Sequence, residues 1–180
     1  MIITNTHERI FTMNRFEKIS PSQIDRILDR IGKDWMLISA SDGTRTNTMT
    51  ASWGCMGVLW NKPVAVCFIR PQRYTYEIVE ASDRLSLSFF DGKLRDELTY
   101  CGKNSGRNGD KFEKTGLTCT YTDTAVPYPA EASLVLVCRK LYADDLKKHA
   151  FIDPSLISNY PEDDFHRMYI CEIEQVLCKA

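Results

Sequence analysis

The sequence predicts a mainly β fold with short helices, a barrel of strands rather than a layered α/β sheet. Three observations carry the prediction. Six segments have the apolar character or the two-residue alternation of strands. The helical candidates between them are short, so they decorate a β core instead of covering a sheet as a full layer. Regular strand–helix–strand alternation is missing, as are a G-x-G-x-x-G after a strand and a phosphate-loop lysine motif, the signs of a doubly wound nucleotide-binding sheet.

Taken in chain order, Ser20 and Pro21 open a helix, because serine caps and proline suits the first helical position. Ile24, Ile27, Leu28 and Ile31 then recur at helical spacing, and Gly32 ends the run. Residues 35–40 are mostly apolar and read as a strand. Across 48–55, Met49, Ala51 and Trp53 alternate with Thr50 and Ser52, as in a strand with two unlike faces. Residues 63–69 are rich in valine and apolar, as in a strand buried on both faces. A short helix over 75–81 precedes a strand over 85–90, where Leu alternates with Ser. Helices are expected over 93–100 and 110–114, and strands over 133–142 and 168–176. In the last strand Tyr169, Cys171 and Ile173 alternate with Ile170, Glu172 and Glu174. The stretch 142–164 holds Pro154 and Pro161 and few periodic apolar residues. It reads as an irregular excursion with one short helix near 154–158.

A chain of 180 residues is the size of one domain and can bury roughly two thirds of its unfolded surface. Residues 1–180 are therefore expected to form a single domain, with 1–32 as an N-terminal extension and helix. The formal net charge of −1 argues against a general binder of nucleic acid or of anionic membranes, though it leaves room for a local basic pocket. No stretch is long and apolar enough to span a bilayer, and the N-terminus lacks the apolar run of a signal peptide. The seven cysteines are odd in number and scattered, and none forms a C-x-x-C pair. That pattern argues against a metal site and fits free thiols in the reducing cytoplasm.

Four constellations are candidates for chemistry. In Asn47, Thr48, Met49, Thr50, Ala51, Ser52 and Trp53, small polar and bulky apolar residues share one strand. Hydroxyls and backbone groups beside an apolar wall suit a planar heteroaromatic with polar edges. An edge strand with a solvent-facing row of Thr and Ser is the other reading. Next, Arg70, Arg73, Tyr74 and Thr75 converge where a strand gives way to a helix. Free amides there favour an anion, and arginine adds charge-assisted bonds to phosphate. A solvated basic turn capped by Thr75 remains the alternative. The third is the loop 101–112, which carries three glycines, two asparagines and basic residues; it suits wrapping a phosphate or ring edge, or a plain surface turn. The fourth is His166, at the entrance to the last strand, a candidate proton donor or hydrogen-bond partner, or a structural residue. His7 and His149 have no partners in sequence, and no Cys–His spacing supports Cys55 as a nucleophile.

In their order and spacing these blocks resemble the flavin reductase-like, FMN-binding split-barrel family, close to its flavoredoxin branch. The resemblance lies in Asn47-Thr48-Met49-Thr50-Ala51-Ser52-Trp53-Gly54, in Gly57-Val58-Leu59-Trp60-Asn61-Lys62-Pro63 and in Ile69-Arg70-Pro71-Gln72-Arg73-Tyr74-Thr75. It continues through Leu85-Ser86-Leu87-Ser88-Phe89-Phe90, Ser105-Gly106-Arg107, Asp110-Lys111, Gly116-Leu117, Cys138-Arg139-Lys140-Leu141-Tyr142, and His166 with Tyr169 and Glu172. It spans roughly residues 33–177. Cys55 and Cys171 stand where glycine is common in the family, and Asn108 where aspartate is frequent.

The resemblance implies a six-stranded split β-barrel that forms a homodimer with FMN at the interface. Asn47 through Trp53 would line the isoalloxazine. Arg70, Arg73, Tyr74 and Thr75 would hold the phosphate. Ser105, Gly106 and Lys111 would approach the flavin from the partner's loop, and His166 would sit where a nicotinamide or an electron acceptor docks. The implied activity passes electrons from NAD(P)H through FMN to a flavin, iron or protein acceptor. Two other readings stay open: an electron carrier serving a redox protein without oxidising NAD(P)H, and a non-enzymatic split barrel holding another ligand.

Overall fold

The computed structural model describes residues 16–179. The expectations placed on the first fifteen residues, namely His7 and most of the segment lacking a signal-peptide run, lie outside them. The strands are β1 (Phe16–Ile19), β2 (Met36–Ser41), β3 (Thr46–Ala51), β4 (Gly54–Leu59), β5 (Lys62–Ile69), β6 (Arg84–Phe89), β7 (Cys119–Tyr121), β8 (Pro127–Pro129), β9 (Leu134–Asp145) and β10 (Arg167–Lys179). The helices are α1 (Tyr74–Ala81), α2 (Arg95–Lys103) and α3 (Lys111–Thr115). The main sheet runs β3-β2-β6-β9-β10-β5-β4, antiparallel throughout, with β1 beside the end of β10. β7 and β8 form a separate ribbon.

The order of strands sets the shape. β3 and β4 are the two ends of the path, yet only Ser52 and Trp53 separate them along the chain. The sheet must curl until its two edges meet at that joint, the split-barrel arrangement expected from the sequence. Bulges help it curl: the β9–β10 register slips at Leu141 and again at Glu174. Gly54 serves the corner, since a Cβ there would lie 2.7 Å from Val66 O.

Two apolar layers hold the sheet. The barrel interior contains Met36, Ile38, Leu85, Leu87, Phe89 and Leu136. On the outer face, Leu37, Val135 and Val137 pack with Leu98 and Cys101 of α2 and Phe112 of α3. Double burial thus falls on β2, β6 and β9. The strand expected to be buried on both faces, β5, is so only in part: Val64 is buried, but Val66 and Phe68 on the same face are half-buried, because the helices pack on β2 and β3 instead.

Three element boundaries differ from expectation. Residues 48–55 form two strands with a corner, not one, and with β1 beside β10 this takes the sheet from the expected six strands to eight. The helix expected after Ser20 is broken. Ser20 does cap a turn at Pro21–Gln23, and Gln23 Oε1 returns a bond to the Ser20 amide, but Arg26 then takes φ 51°, and the chain winds again only over Asp29–Asp34, past Gly32. Ile31 still buries, whereas Leu28 stays exposed, so the apolar spacing marked the inward face without making a continuous helix. The excursion is shorter than 142–164 because β9 continues to Asp145; it carries a single turn at Lys148–Ala150 and, where a short helix was expected, a 3₁₀ helix at Pro154–Asn159. No described helix is long and apolar enough to cross a membrane.

Candidate functional site

At the joint between the sheet's two edges lies an open cleft of about 220 Å³. One wall is β3 and the joint itself, from Met49 to Trp53. Phe68 and Arg70 contribute from the end of β5, and Arg73 and His166 close the ends. β3 bonds to β2 along one side only, so its other edge keeps unpaired backbone groups. Thr48 O faces that free side, where Lys111 Nζ donates to it at 2.9 Å. The alternation of an antiparallel ladder turns the Thr50 amide the same way.

The hydroxyls expected to face a ligand are largely taken. Thr48 Oγ1 donates to Ile38 O at 3.3 Å and accepts from Ser39 Oγ at 2.9 Å, while Thr50 Oγ1 donates to Leu98 O. Both side chains point into the layer beneath α2, so β3 offers its backbone to the cleft rather than a row of hydroxyls. Asn47 is buried too, and its Nδ2 donates to Thr75 Oγ1 at 2.8 Å. It ties β3 to the first turn of α1 and does not line the cleft.

Arg73 is the N-cap of α1, so the Tyr74 and Thr75 amides open from the helix end without an intrahelical acceptor. The Arg73 guanidinium donates to Gly102 O at 2.6 Å and Cys101 O at 3.3 Å, closing the C-terminal carbonyls of α2. Two of its five N–H donors are engaged, leaving three for an anion. Burial lowers its pKa, and Arg70 lowers it further. Arg70 is occupied differently. It pairs with Asp164 at 2.5 Å, donates to Asn159 O at 2.9 Å, and lies over the Tyr160 ring, so it fastens the excursion to the barrel rather than standing free for a phosphate.

The loop before α3 folds back on its own chain. Gly106 sits against Asn47 so closely that a Cβ would fall on the carboxamide. Ser105 Oγ accepts from the Arg107 amide at 3.3 Å. Arg107 pairs with Glu77, donates to Gln72 O at 3.2 Å and lies 5.1 Å from the Tyr74 ring centroid, which adds a cation beside the α1 N-terminus. Lys111 is 3% exposed, and its ammonium donates to Thr48 O and, at 2.8 Å, to Cys101 O. Burial lowers its pKa to about 8, with Arg73 adding to the effect. Lys111 thus sits at the free edge of β3, bonded within its own chain.

His166 forms the far wall. Its ring centroid is 5.1 Å from that of Trp53 and 6.4 Å from that of Phe68. Burial and the nearby Arg70 lower its pKa to about 4, with Asp164 opposing them. The ring is therefore neutral at pH 7 and offers a hydrogen bond, not the mobile proton of an imidazolium.

Of the residues singled out in the sequence, the cleft gathers Met49, Thr50, Ala51, Ser52, Trp53, Arg70, Arg73 and His166. Tyr74 and Thr75 stand at the adjoining helix end, with Asn47, Ser105, Gly106 and Lys111 supporting them from behind. Cys55 is exposed on β4, and Cys171 lies in the barrel core. Sequence reading missed Phe68 and Tyr160. Strand parity marks Phe68, which alternates with buried Cys67 and Ile69; Tyr160 lies in aperiodic chain with no comparable signal. The residues present fit FMN: a backbone edge for ring carbonyls and nitrogens, aromatic walls, and a cationic helix end for a phosphate. Among the described residues, no group of three His, Cys, Asp or Glu side chains is placed to hold a metal ion.

A family model described as "Flavin reductase like domain" matches residues 28–179. An FMN-binding domain of a flavin reductases-like enzyme from Shewanella baltica superposes with a TM-score of 0.69 at 18% identity, covering 92% of this chain and 78% of that one. Flavoredoxin of Desulfovibrio vulgaris gives 0.63 at 22% identity, covering 81% and 69%. An NADH:FAD oxidoreductase from Streptomyces globisporus, in complex with NAD and FAD fragments, gives 0.60 at 13%, covering 79% and 72%. In sequence, an uncharacterized protein of Aeropyrum pernix is 26% identical over 132 residues, 72% of this chain, and the chain spans 50% of that protein's length. At these identities the structural likeness shows the fold.

Proposed function

Because the chain belongs to the flavin reductase-like domain family across residues 28–179, we propose that it is an FMN-binding oxidoreductase passing electrons from NAD(P)H to a flavin, iron or protein acceptor. The observation that carries this reading is the cleft itself, where the free edge of β3 runs into the helix end that Arg73 caps. The outward amides of β3 would hold the ring's polar edge. The remaining donors of Arg73, the Tyr74 and Thr75 amides, and Arg107 would hold the phosphate. FMN held there would supply the redox chemistry, hydride uptake and electron release. The chain's part is electrostatic. Lys111 keeps a positive charge at the free edge of β3 at neutral pH, which would favour negative charge on a ring held there.

One chain offers only part of the space. Ligand pockets are typically about 300–1,000 Å³, and this open cleft falls short of that range. Val58, Leu59 and Trp60 are exposed at the β4–β5 hairpin, and Trp60 holds φ 52° there. For a non-glycine residue that conformation costs on the order of 1 kcal/mol. These exposed apolar side chains, at the end of β4 away from the cleft, support a homodimer, and a partner chain would supply the rest of the FMN site. Seven free thiols suit a cytoplasmic setting.

The similarity to flavoredoxins supports a second reading, an electron carrier that does not oxidise NAD(P)H. Absorbance of the purified protein, before and after anaerobic NADH or NADPH, tests both. Flavin bands that bleach rapidly support the reductase, and bands that persist favour the carrier. A protein that neither carries nor takes up FMN overturns both.

A further inference from the structure

Tyr160 lies in the irregular excursion, yet it is 5% exposed and its hydroxyl is 3.0 Å from His166 Nδ1. The direction of that bond follows from counting donors. His166 Nδ1 is the only partner of the phenol oxygen among the described residues. Were Nδ1 to carry the proton, the buried phenol O–H would have no acceptor, and leaving a buried donor unmade is costly. With the phenol as donor, both groups are satisfied and the ring's single proton sits on Nε2. Of the other side chains around His166, the Trp53 and Phe68 rings flank it; Asp164 Oδ2 is taken by Arg70 and Gln72, each at 2.5 Å, and Asp164 Oδ1 is buried but bonds to neither Tyr160 nor His166. Nε2 has no protein partner among the described residues, and His166 lines the cleft.

We propose that Tyr160 is a positioning residue that locks His166 in the Nε2–H tautomer, making it a fixed, neutral hydrogen-bond donor for a carbonyl or carboxamide oxygen docking in the cleft. The inference rests on the cleft being the flavin and reductant site. It adds a specificity rule: an acceptor oxygen is welcomed at this wall and a donor group is rejected. The excursion thereby gains a function, since Arg70 and the Phe165 ring, stacked on Tyr160 at 4.7 Å, hold the phenol in place.

The test uses protein labelled with ¹⁵N-histidine. The chain has three histidines, and His166→Gln identifies the third signal set. In the wild type, His166 should show Nδ1 unprotonated and Nε2 protonated, whether or not FMN is present. Tyr160→Phe keeps the ring and its stacking and removes only the donor. It should admit a fraction of the Nδ1–H form and raise the imidazole pKa by roughly one unit. In FMN-loaded enzyme the same variant should raise the KM for the reductant several-fold while leaving the FMN Kd unchanged. A wild-type Nδ1–H tautomer, or a Tyr160→Phe spectrum and titration identical to wild type, overturns the proposal. Failure to bind FMN would instead overturn the flavin reading, and leaves the tautomer measurement standing on its own.

Discussion

Replacing Arg73 with alanine isolates the phosphate half of the proposed site. Arg73 uses two N–H groups on Gly102 O and Cys101 O, so three remain for a ligand. A charge-assisted bond of this kind contributes about 1.5–3 kcal/mol, which corresponds to a roughly 10- to 150-fold weaker Kd for FMN. The variant also has a structural cost. Cys101 O keeps its bond from Lys111 Nζ, so the loss falls on Gly102 O, at about 1 kcal/mol of stability. Riboflavin separates the two effects because it has the same ring and no phosphate. Titrations following protein fluorescence should show FMN weakened by the full factor and riboflavin by less than about threefold. If both ligands weaken by the same factor, Arg73 acts through the shape of the cleft and the phosphate assignment is wrong.

Gly106→Ala should displace the Asn47 carboxamide from Thr75, lowering stability by about 1–3 kcal/mol in urea unfolding and weakening FMN binding. Thr50→Val removes the donor to Leu98 O, so stability should fall by about 1 kcal/mol with the FMN Kd unchanged; a large loss of affinity would mean that the hydroxyl serves the ligand after all. His166 has a depressed folded pKa, so the unfolded chain binds the extra proton first. Its contribution to stability should be complete above pH 6.5 and decline as pH falls towards about 4. His166→Gln should flatten that part of the pH–stability profile relative to wild type. Trp60→Glu places a charge on the exposed hairpin; sedimentation should then show a monomer with weaker FMN binding, and an unchanged dimer would count against this face as the interface.

The strand segments and most of the residues that gather at the cleft were legible because each rests on local rules. Alternation marked β6 and β10, and two arginines at a strand-to-helix junction drew attention to the end of β5 that the cleft reaches. Less visible were the assignments that depend on what lies across space. Thr48 and Thr50 read as ligand-facing hydroxyls, but both lie in the layer that α2 covers, where Ile38 O and Leu98 O take them. Lys111 read as reaching from a partner's loop, and burial between Thr48 O and Cys101 O directs it at its own chain. Arg70 and Arg73 are alike in sequence and differ in the structure because only Arg70 meets the excursion.

The amino-acid sequence by itself determined the β class and marked the two segments that meet at the cleft, since periodicity and charge act over a few residues. Only the tertiary structure decided that Ser52 and Trp53 join the two edges of one curled sheet, and that backbone rather than hydroxyl faces the cleft. It likewise decided that Tyr160 stands behind His166. Those contacts link residues that the chain brings together only when the sheet curls and the excursion folds over it, and no local pattern encodes them.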